Sequence, residues 1–199
     1  EITPAVVGDL HLAAGGEVGV LRQVAGNPAA SPDVLDYLVC SADRDVRLAV
    51  AVNPRSAAGA LSLLATDPDT DIREAVAKRA GVPAEAVRVL AVDRSPWVRG
   101  HAASRKNCPQ EVLEALASDP TPAVRERVAG RANLPDAAVA KLAGDQDRDV
   151  RLKVAMRKKL PAELITQLAA DPDPLVSDVA RCRADAPSAA RSAAALLAD

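Results

Sequence analysis

The sequence repeats itself every 26 residues, and this period constrains the fold more than any other feature. A pair of adjacent residues, of which the first is Val or Ile, occurs seven times at this spacing. The pairs are Val20-Leu21, Val46-Arg47, Ile72-Arg73, Val98-Arg99, Val124-Arg125, Val150-Arg151 and Val176-Ser177. Leucines recur with the same period upstream of the pairs, at Leu12, Leu38, Leu64, Leu90, Leu116, Leu142 and Leu168. A fixed period of about 20 to 50 residues is the signature of a repeat architecture.

Each repeat is predicted to hold two short helices. In the first segment, apolar residues three apart, such as Leu61 and Leu64, form one helical stripe. Prolines that suit the first turn of a helix stand at its start, at Pro83, Pro109, Pro135 and Pro161. The second segment has the pattern Val-Arg-x-x-Val-Ala, as in Val46 to Ala51. Helices this short are marginal alone, so they must stack on their neighbours. We therefore expect an all-α solenoid of about seven two-helix repeats.

The whole chain, 1–199, is predicted to be one repeat domain. Residues 1–19 would form an N-terminal cap helix, residues 20–186 the repeats, and the Ala-rich residues 187–199 a C-terminal cap helix. The pattern leaves open whether the second segment of each repeat is an α-helix or a 3₁₀ helix.

Two strings carry a resemblance to a known family. The strings 145–155 and 46–54, the Asp67-Pro68-Asp69 turn and the following Pro-x-x-x-Leu-x-x-Leu-Ala resemble the leucine-rich repeat variant family. This resemblance covers nearly the whole chain, and it implies a right-handed superhelix of alternating α and 3₁₀ helices. The HEAT-repeat family is similar in its Asp placed six residues before an Arg. One member of the variant family has a separate iron–sulfur module, but three scattered cysteines, Cys40, Cys108 and Cys182, are too few for such a cluster.

Composition limits the classes of function. The net charge is −2, so any basic surface must be local, and only two histidines are present. The chain has no Gly-rich phosphate loop and no His/Cys cluster with zinc spacing, so we expect no enzyme activity, no metal and no cofactor. No apolar run is long enough to span a membrane, and free thiols fit a reducing compartment, which favours the cytoplasm.

Charged residues recur in two series. Asp67, Asp93, Asp119 and Asp145 each precede an arginine by six residues, which predicts helix capping and bridges between repeats. Seven residues after the apolar position stand Asn27, Asn53, Arg79, Arg105, Arg131, Arg157 and Arg183. Between residues 99 and 160 there are 13 basic and 8 acidic residues, so this part of the chain is predicted to carry a basic stripe. Two interpretations stay open: arginines that cap helix ends, or a docking surface for an acidic partner.

The most distinctive point on this stripe is Trp97, followed by His101 and Arg105 at four-residue spacing on one helical face. An exposed Trp beside Arg is typical of binding hot spots. We therefore expect a non-catalytic scaffold that binds an acidic protein rather than a small molecule or a membrane. The predicted contact residues are Trp97, His101, Arg105, Arg79, Arg131, Arg157, Arg127 and Lys153. The alternative hypothesis is nucleic-acid binding through the same stripe.

Overall fold

The computed structural model describes residues 18–183, and this part of the chain is built from helices that alternate in two series. We call the first helix of each repeat the A helix. The A helices are α2 (Pro32–Leu38), α4 (Ala58–Leu64), α6 (Ala84–Ala91), α8 (Gln110–Leu116), α10 (Asp136–Ala143) and α12 (Ala162–Ala169). The second helix of each repeat is the B helix. The B helices are α1 (Val18–Gly26), α3 (Arg44–Val52), α5 (Thr70–Lys78), α7 (Pro96–Ser104), α9 (Pro122–Ala129), α11 (Arg148–Ala155) and a helix over 174–183.

Both segments of the repeat are α-helices, which settles the question that the pattern left open. Within residues 18–183 there is no strand and no 3₁₀ helix, so the predicted all-α solenoid class is confirmed and the alternation with 3₁₀ helices is not found. The predicted cap helices over 1–19 and 187–199 lie outside the described residues, apart from the first two residues of α1.

The described residues divide into two compact units, one up to Pro109 and one from Gln110 onward. In the first unit, the B helices α1, α3, α5 and α7 pack in sequence, each on the next, and the A helices cover one side of them. In the second unit, α9 packs on α11, and α10 packs on both α11 and α12. The prediction of a single domain stays a prediction.

The recurring apolar residues form the core of both units, as predicted. The aliphatic positions Val46, Ile72, Val98, Val124, Val150 and Val176 are all fully or almost fully buried. The leucines Leu38, Leu64, Leu90, Leu116, Leu142 and Leu168 are buried with them. The first pair is an exception, because Val20 is 42% exposed and Leu21 takes the buried place instead. Leu21 stands where the next repeats have an arginine, so the buried face of α1 is turned by one residue.

Local signals explain where the helices begin. Pro83, Pro135 and Pro161 are the residues immediately before an A helix, as predicted. The B helices α5 and α11 are capped by Asp69 and Asp147, whose carboxylates accept hydrogen bonds from the second and third backbone N–H groups. The prediction that the series beginning with Asp67 caps these helices is therefore wrong by two residues.

Candidate functional site

Bidentate ion pairs connect each repeat to the next within each unit. Arg73 donates from Nε and Nη2 to the carboxylate of Asp93, 20 residues further on, at 2.5 and 3.1 Å. Both side chains are only 7% exposed. The same pairing joins Arg47 to Asp67, Arg125 to Asp145 and Arg151 to Asp171. We call these eight residues the inter-repeat ladder, and the predicted bridges between repeats are thereby confirmed.

The remaining polar atoms of this ladder are also used. Nη1 of Arg73 donates to the carbonyl oxygens of Asp67 and Pro68 in its own turn. Asp93 accepts a further hydrogen bond from the backbone N–H of Ser95. Burial alone would raise the pKa of Asp93, but the hydrogen bonds from Arg73 and Ser95 outweigh burial and lower this pKa. The polar groups of Arg73 and Asp93 thus bind other groups of the protein. The inter-repeat ladder therefore stabilises the contact between neighbouring repeats.

The second series of charged residues caps helix ends in the preceding repeat. Arg157 donates from Nη1 to the carbonyl oxygens of Ala129 and Arg131, at 2.7 and 2.6 Å. Asn53 does the same with its side-chain amide, which donates to Ala25 and Asn27 at 2.6 and 2.9 Å. Arg79, Arg105 and Arg183 reach equivalent carbonyls. We call Asn53, Arg79, Arg105, Arg157 and Arg183 the cap ladder.

Four of the predicted contact residues belong to this second series, and three of them are members of the cap ladder. Arg79, Arg105 and Arg157 are half-buried, and burial lowers the pKa of each guanidinium. The fourth, Arg131, is also half-buried, and its Nη2 donates to Oδ1 of Asn133. For Arg79, Arg105 and Arg157, the geometry therefore supports the interpretation in which the arginines cap helix ends.

Trp97 lies in the first turn of α7 and is 62% exposed. His101 follows one turn later, and its Nε2 lies 3.7 Å from Oε1 of Glu74 on the neighbouring helix α5. Glu74 also pairs with Lys78 at 2.5 Å. Arg105, the third member of the predicted face, comes directly after α7 and turns to the carbonyls of the preceding repeat. Trp97 and His101 thus lie on one helix face. The guanidinium of Arg105 binds the preceding repeat instead of lying beside them.

A groove of about 460 Å³ opens in the first unit where α5 and α7 end. We call it the first groove. It includes the left-handed glycine Gly81, whose φ of +79° is one that other residues rarely adopt. The charged and polar side chains on its walls are Lys78, Arg79, His101, Ser104, Arg105, Lys106 and Asn107. Three of the predicted contact residues, Arg79, His101 and Arg105, therefore meet in one place.

A groove of about 580 Å³ occupies the repeat-equivalent position in the second unit, where α9 and α11 end. We call it the second groove. Its lining residues are Gly130, Ala132, Lys153, Met156, Arg157, Lys158 and Lys159. Four of these seven carry a positive charge and none is acidic. Lys153 and Arg157 were predicted contact residues, whereas Met156, Lys158 and Lys159 were missed. Lys158 and Lys159 stand two repeat lengths after Lys106 and Asn107. A comparison of these two repeats in the sequence would have shown a pair of lysines at the same place.

Lys153 lies across a glycine. A Cβ atom placed on Gly130 would be only 3.1 Å from Cε of Lys153, so the lysine stem occupies the space that a side chain would fill. In the first groove, the equivalent of Gly130 is Lys78, which pairs with Glu74. Arg127, the last predicted contact residue, is half-buried in the final turn of α9 and does not line the groove.

Cys40, Cys108 and Cys182 form no disulfide with one another; Cys108 is buried, and Cys40 and Cys182 are exposed. Cys108 packs in the core at the position where other repeats have Val82 and Leu134. In the described part of the chain, no group of three or more His, Cys, Asp or Glu side chains is placed to hold a metal ion. Over the same residues, no helix has the length and apolar character needed to cross a membrane.

Comparison with known proteins agrees with this geometry. The family model described as leucine rich repeat variant matches residues 96–121 and 148–173, and each match begins at the first residue of a B helix. A solved structure, described as a leucine-rich repeat variant with a novel repetitive protein structural motif, is 28% identical with a TM-score of 0.70. The match covers 90% of this chain and 71% of that one. No curated protein matches the chain. The resemblance noted in the sequence is thereby confirmed: residues 96–121 and 148–173 match the leucine-rich repeat variant model, and most of the chain is similar in fold to the solved structure of such a protein.

Proposed function

We propose that this protein is a non-catalytic scaffold that binds another protein through side chains exposed on its B helices. The observation that carries this proposal is Trp97, a large apolar side chain left 62% exposed on α7. A Trp so placed is the type of residue that dominates binding energy when a partner covers it. His101, on the same helix face, adds a polar contact to this anchor.

The partner is expected to carry an acidic surface. The first groove contains Lys78, Lys106 and His101, and the second contains three lysines. Positive residues gathered around a recess attract and orient an acidic partner. Arg127 extends the positive charge of the second unit beyond the three lysines of the groove. The three cysteines form no disulfide with one another, which supports placing the protein in a reducing compartment such as the cytoplasm.

The ladders support a structural role for most of the remaining charge. The same Asp–Arg pair recurs in successive repeats, as a structural element does, whereas an active site is built once. The cap ladder binds its guanidinium groups to backbone carbonyls, so fewer arginines are left to contact phosphates. This favours a protein partner over nucleic acid.

A pull-down with purified variants tests the proposal. The immobilised protein is incubated with lysate of the source organism, with and without nuclease, and bound material is read by mass spectrometry and nucleic-acid staining. Trp97→Ala with His101→Ala is expected to lose a nuclease-resistant protein that the wild type retains. Leu63→Ala is the matched control, because it removes an exposed apolar side chain from an A helix.

Two outcomes would contradict the proposal. Retention of the same proteins by wild type and the Trp97 variant would remove Trp97 as an anchor. Retention that disappears with nuclease, and falls steeply with salt, would show that the basic residues contact phosphates instead.

A further inference from the structure

We propose that the second groove binds an acidic peptide segment that carries one apolar side chain. This inference rests on the proposed scaffold function and names the chemistry of one contact site. The groove lies within the second unit and has a volume of about 580 Å³, within the range of pockets that hold ligands.

No carboxylate among residues 18–183 pairs with the lysines of the groove. Lys153, Lys158 and Lys159 form no ion pair within this range. Their charge is not needed at the end of α9 either, because Arg157 already donates to the carbonyls of Ala129 and Arg131 there. The groove is thus lined by three lysines that form no ion pair with any described carboxylate.

Two acidic residues near the second groove, Glu126 and Asp136, do not neutralise its positive charge. Glu126 stands where the first unit has Glu74, yet it forms no ion pair with Lys153 in the described structure. Asp136 lines an adjacent recess that shares Lys158 and Lys159, but it does not line the second groove. A single carboxylate beside these lysines leaves the site positive.

The floor of the groove is apolar. Met156 is 61% exposed, and the small residues Gly130 and Ala132 line the groove with it. A flexible thioether adapts to apolar groups of different shapes. The methylene stem of Lys153 lies against Gly130 and adds apolar surface. An occupant that covers this floor has to bring an apolar side chain as well as carboxylates.

A peptide fits this groove better than a nucleic acid strand. The groove has no aromatic side chain on which a base could stack. Its arginine, Arg157, is turned to backbone carbonyls. Carboxylates on either side of one apolar residue match three lysines around one methionine.

Fluorescence anisotropy with a defined probe tests this inference. The probe is a labelled short peptide with several glutamates around one leucine, and its controls replace leucine by serine or glutamates by glutamines. The wild type is expected to bind the first peptide saturably and both controls more weakly. Lys158→Ala with Lys159→Ala should weaken binding roughly tenfold or more, because these cations attract the glutamates. Met156→Gln should weaken binding of the leucine peptide but not of the serine peptide.

Lys141→Ala is the matched control, because Lys141 is an exposed lysine of the same unit that lines neither groove. It should leave binding of the probe unchanged, and circular dichroism should show native helix content in every variant. Absence of saturable binding, or equal binding by all variants, would overturn the inference. An oligothymidine of matched charge that displaces the peptide at equal concentration would also overturn it, in favour of a phosphate site.

The outcomes also separate this inference from the proposed function. If a nuclease-resistant partner is lost with Trp97→Ala but kept by Lys158→Ala with Lys159→Ala, and the peptide does not bind, the scaffold proposal stands and the groove assignment fails. If the peptide binds but no protein is retained from lysate, the groove is a binding site and the scaffold proposal fails.

Discussion

The two grooves lie at the same place in the repeat, yet they present different chemistry. In the first groove, Glu74 pairs with Lys78 and lies 3.7 Å from His101, so part of the positive charge there is balanced by a neighbouring carboxylate. In the second groove, Gly130 replaces the lysine of α5, and three lysines have no carboxylate partner among the described residues. The backbone arrangement is shared, and a few exposed substitutions decide what each groove attracts. In such a repeat protein, exposed residues can differ between repeats while the backbone arrangement stays the same.

If the two units are built in the same way, removal of an inter-repeat arginine should lower the free energy of unfolding by a similar, large amount in each. Arg73→Ala and Arg125→Ala should each lower the free energy of unfolding by about 3–5 kcal/mol, because each leaves a buried aspartate without its partner. Urea denaturation followed by circular dichroism measures both losses. Arg22→Ala, which removes an exposed pair with Asp43, should lower the free energy of unfolding far less. Equal losses for all three variants would show that burial of the ladder contributes nothing.

The cap ladder offers a smaller test, because one repeat of the first unit has an asparagine, Asn53, where the second unit has Arg157. Asn53→Ala and Arg157→Ala should each cost about 1–3 kcal/mol, since two helix-end carbonyls lose their donor. Arg157→Asn should cost less than Arg157→Ala if the shorter side chain of the first unit also works in the second. The same denaturation measurement decides this, with exposed Arg55→Ala as the control. A loss for Asn as large as for Ala would show that the two caps are not interchangeable.

The core and the two-helix repeat followed closely from the period, whereas the site did not. A side chain such as Val46 is buried because its place in the 26-residue pattern puts it on the inner face of a helix, and spacing alone reveals this. Spacing does not predict which groups the charged end of a long side chain contacts. The pattern placed Arg105 on the face of Trp97, but a flexible stem turned its guanidinium to carbonyls of the preceding repeat. Likewise, the groove around Lys153 depends on Gly130, which is informative only when two repeats are superposed.

Glu74 is the residue that most separates the two grooves, so its removal should make them more alike. Glu74→Gln, in the background of Lys158→Ala with Lys159→Ala, should raise the affinity for the glutamate–leucine peptide by roughly two- to fivefold, the size of one exposed charge pair. Anisotropy titration against the parent double variant measures the gain. No gain would mean that Lys78 and His101 do not face the bound peptide.

The smallest expected effect concerns pH and the surface pair in the first unit. The hydrogen bond from Arg22 lowers the pKa of Asp43 from 3.8 to about 2. Because the folded pKa lies below the unfolded one, the stability from this pair is complete above about pH 4 and is lost as the pH falls toward 2. Arg22→Ala should return the pKa of Asp43 towards its ordinary value, as followed by the carboxyl carbon resonance in an NMR titration. An unchanged midpoint would show that Arg22 is not the cause.

The inter-repeat ladder also bears on how such a chain grows. Each arginine reaches forward by 20 residues to the aspartate of the next repeat. When one whole 26-residue unit is duplicated, the new arginine finds an aspartate and the new aspartate finds an arginine, so the number of unmatched charges stays the same. An insertion of a few residues between an arginine and its aspartate would shift the partners out of register and leave buried ions behind. A constant unit length therefore preserves the ladder, whatever the number of units.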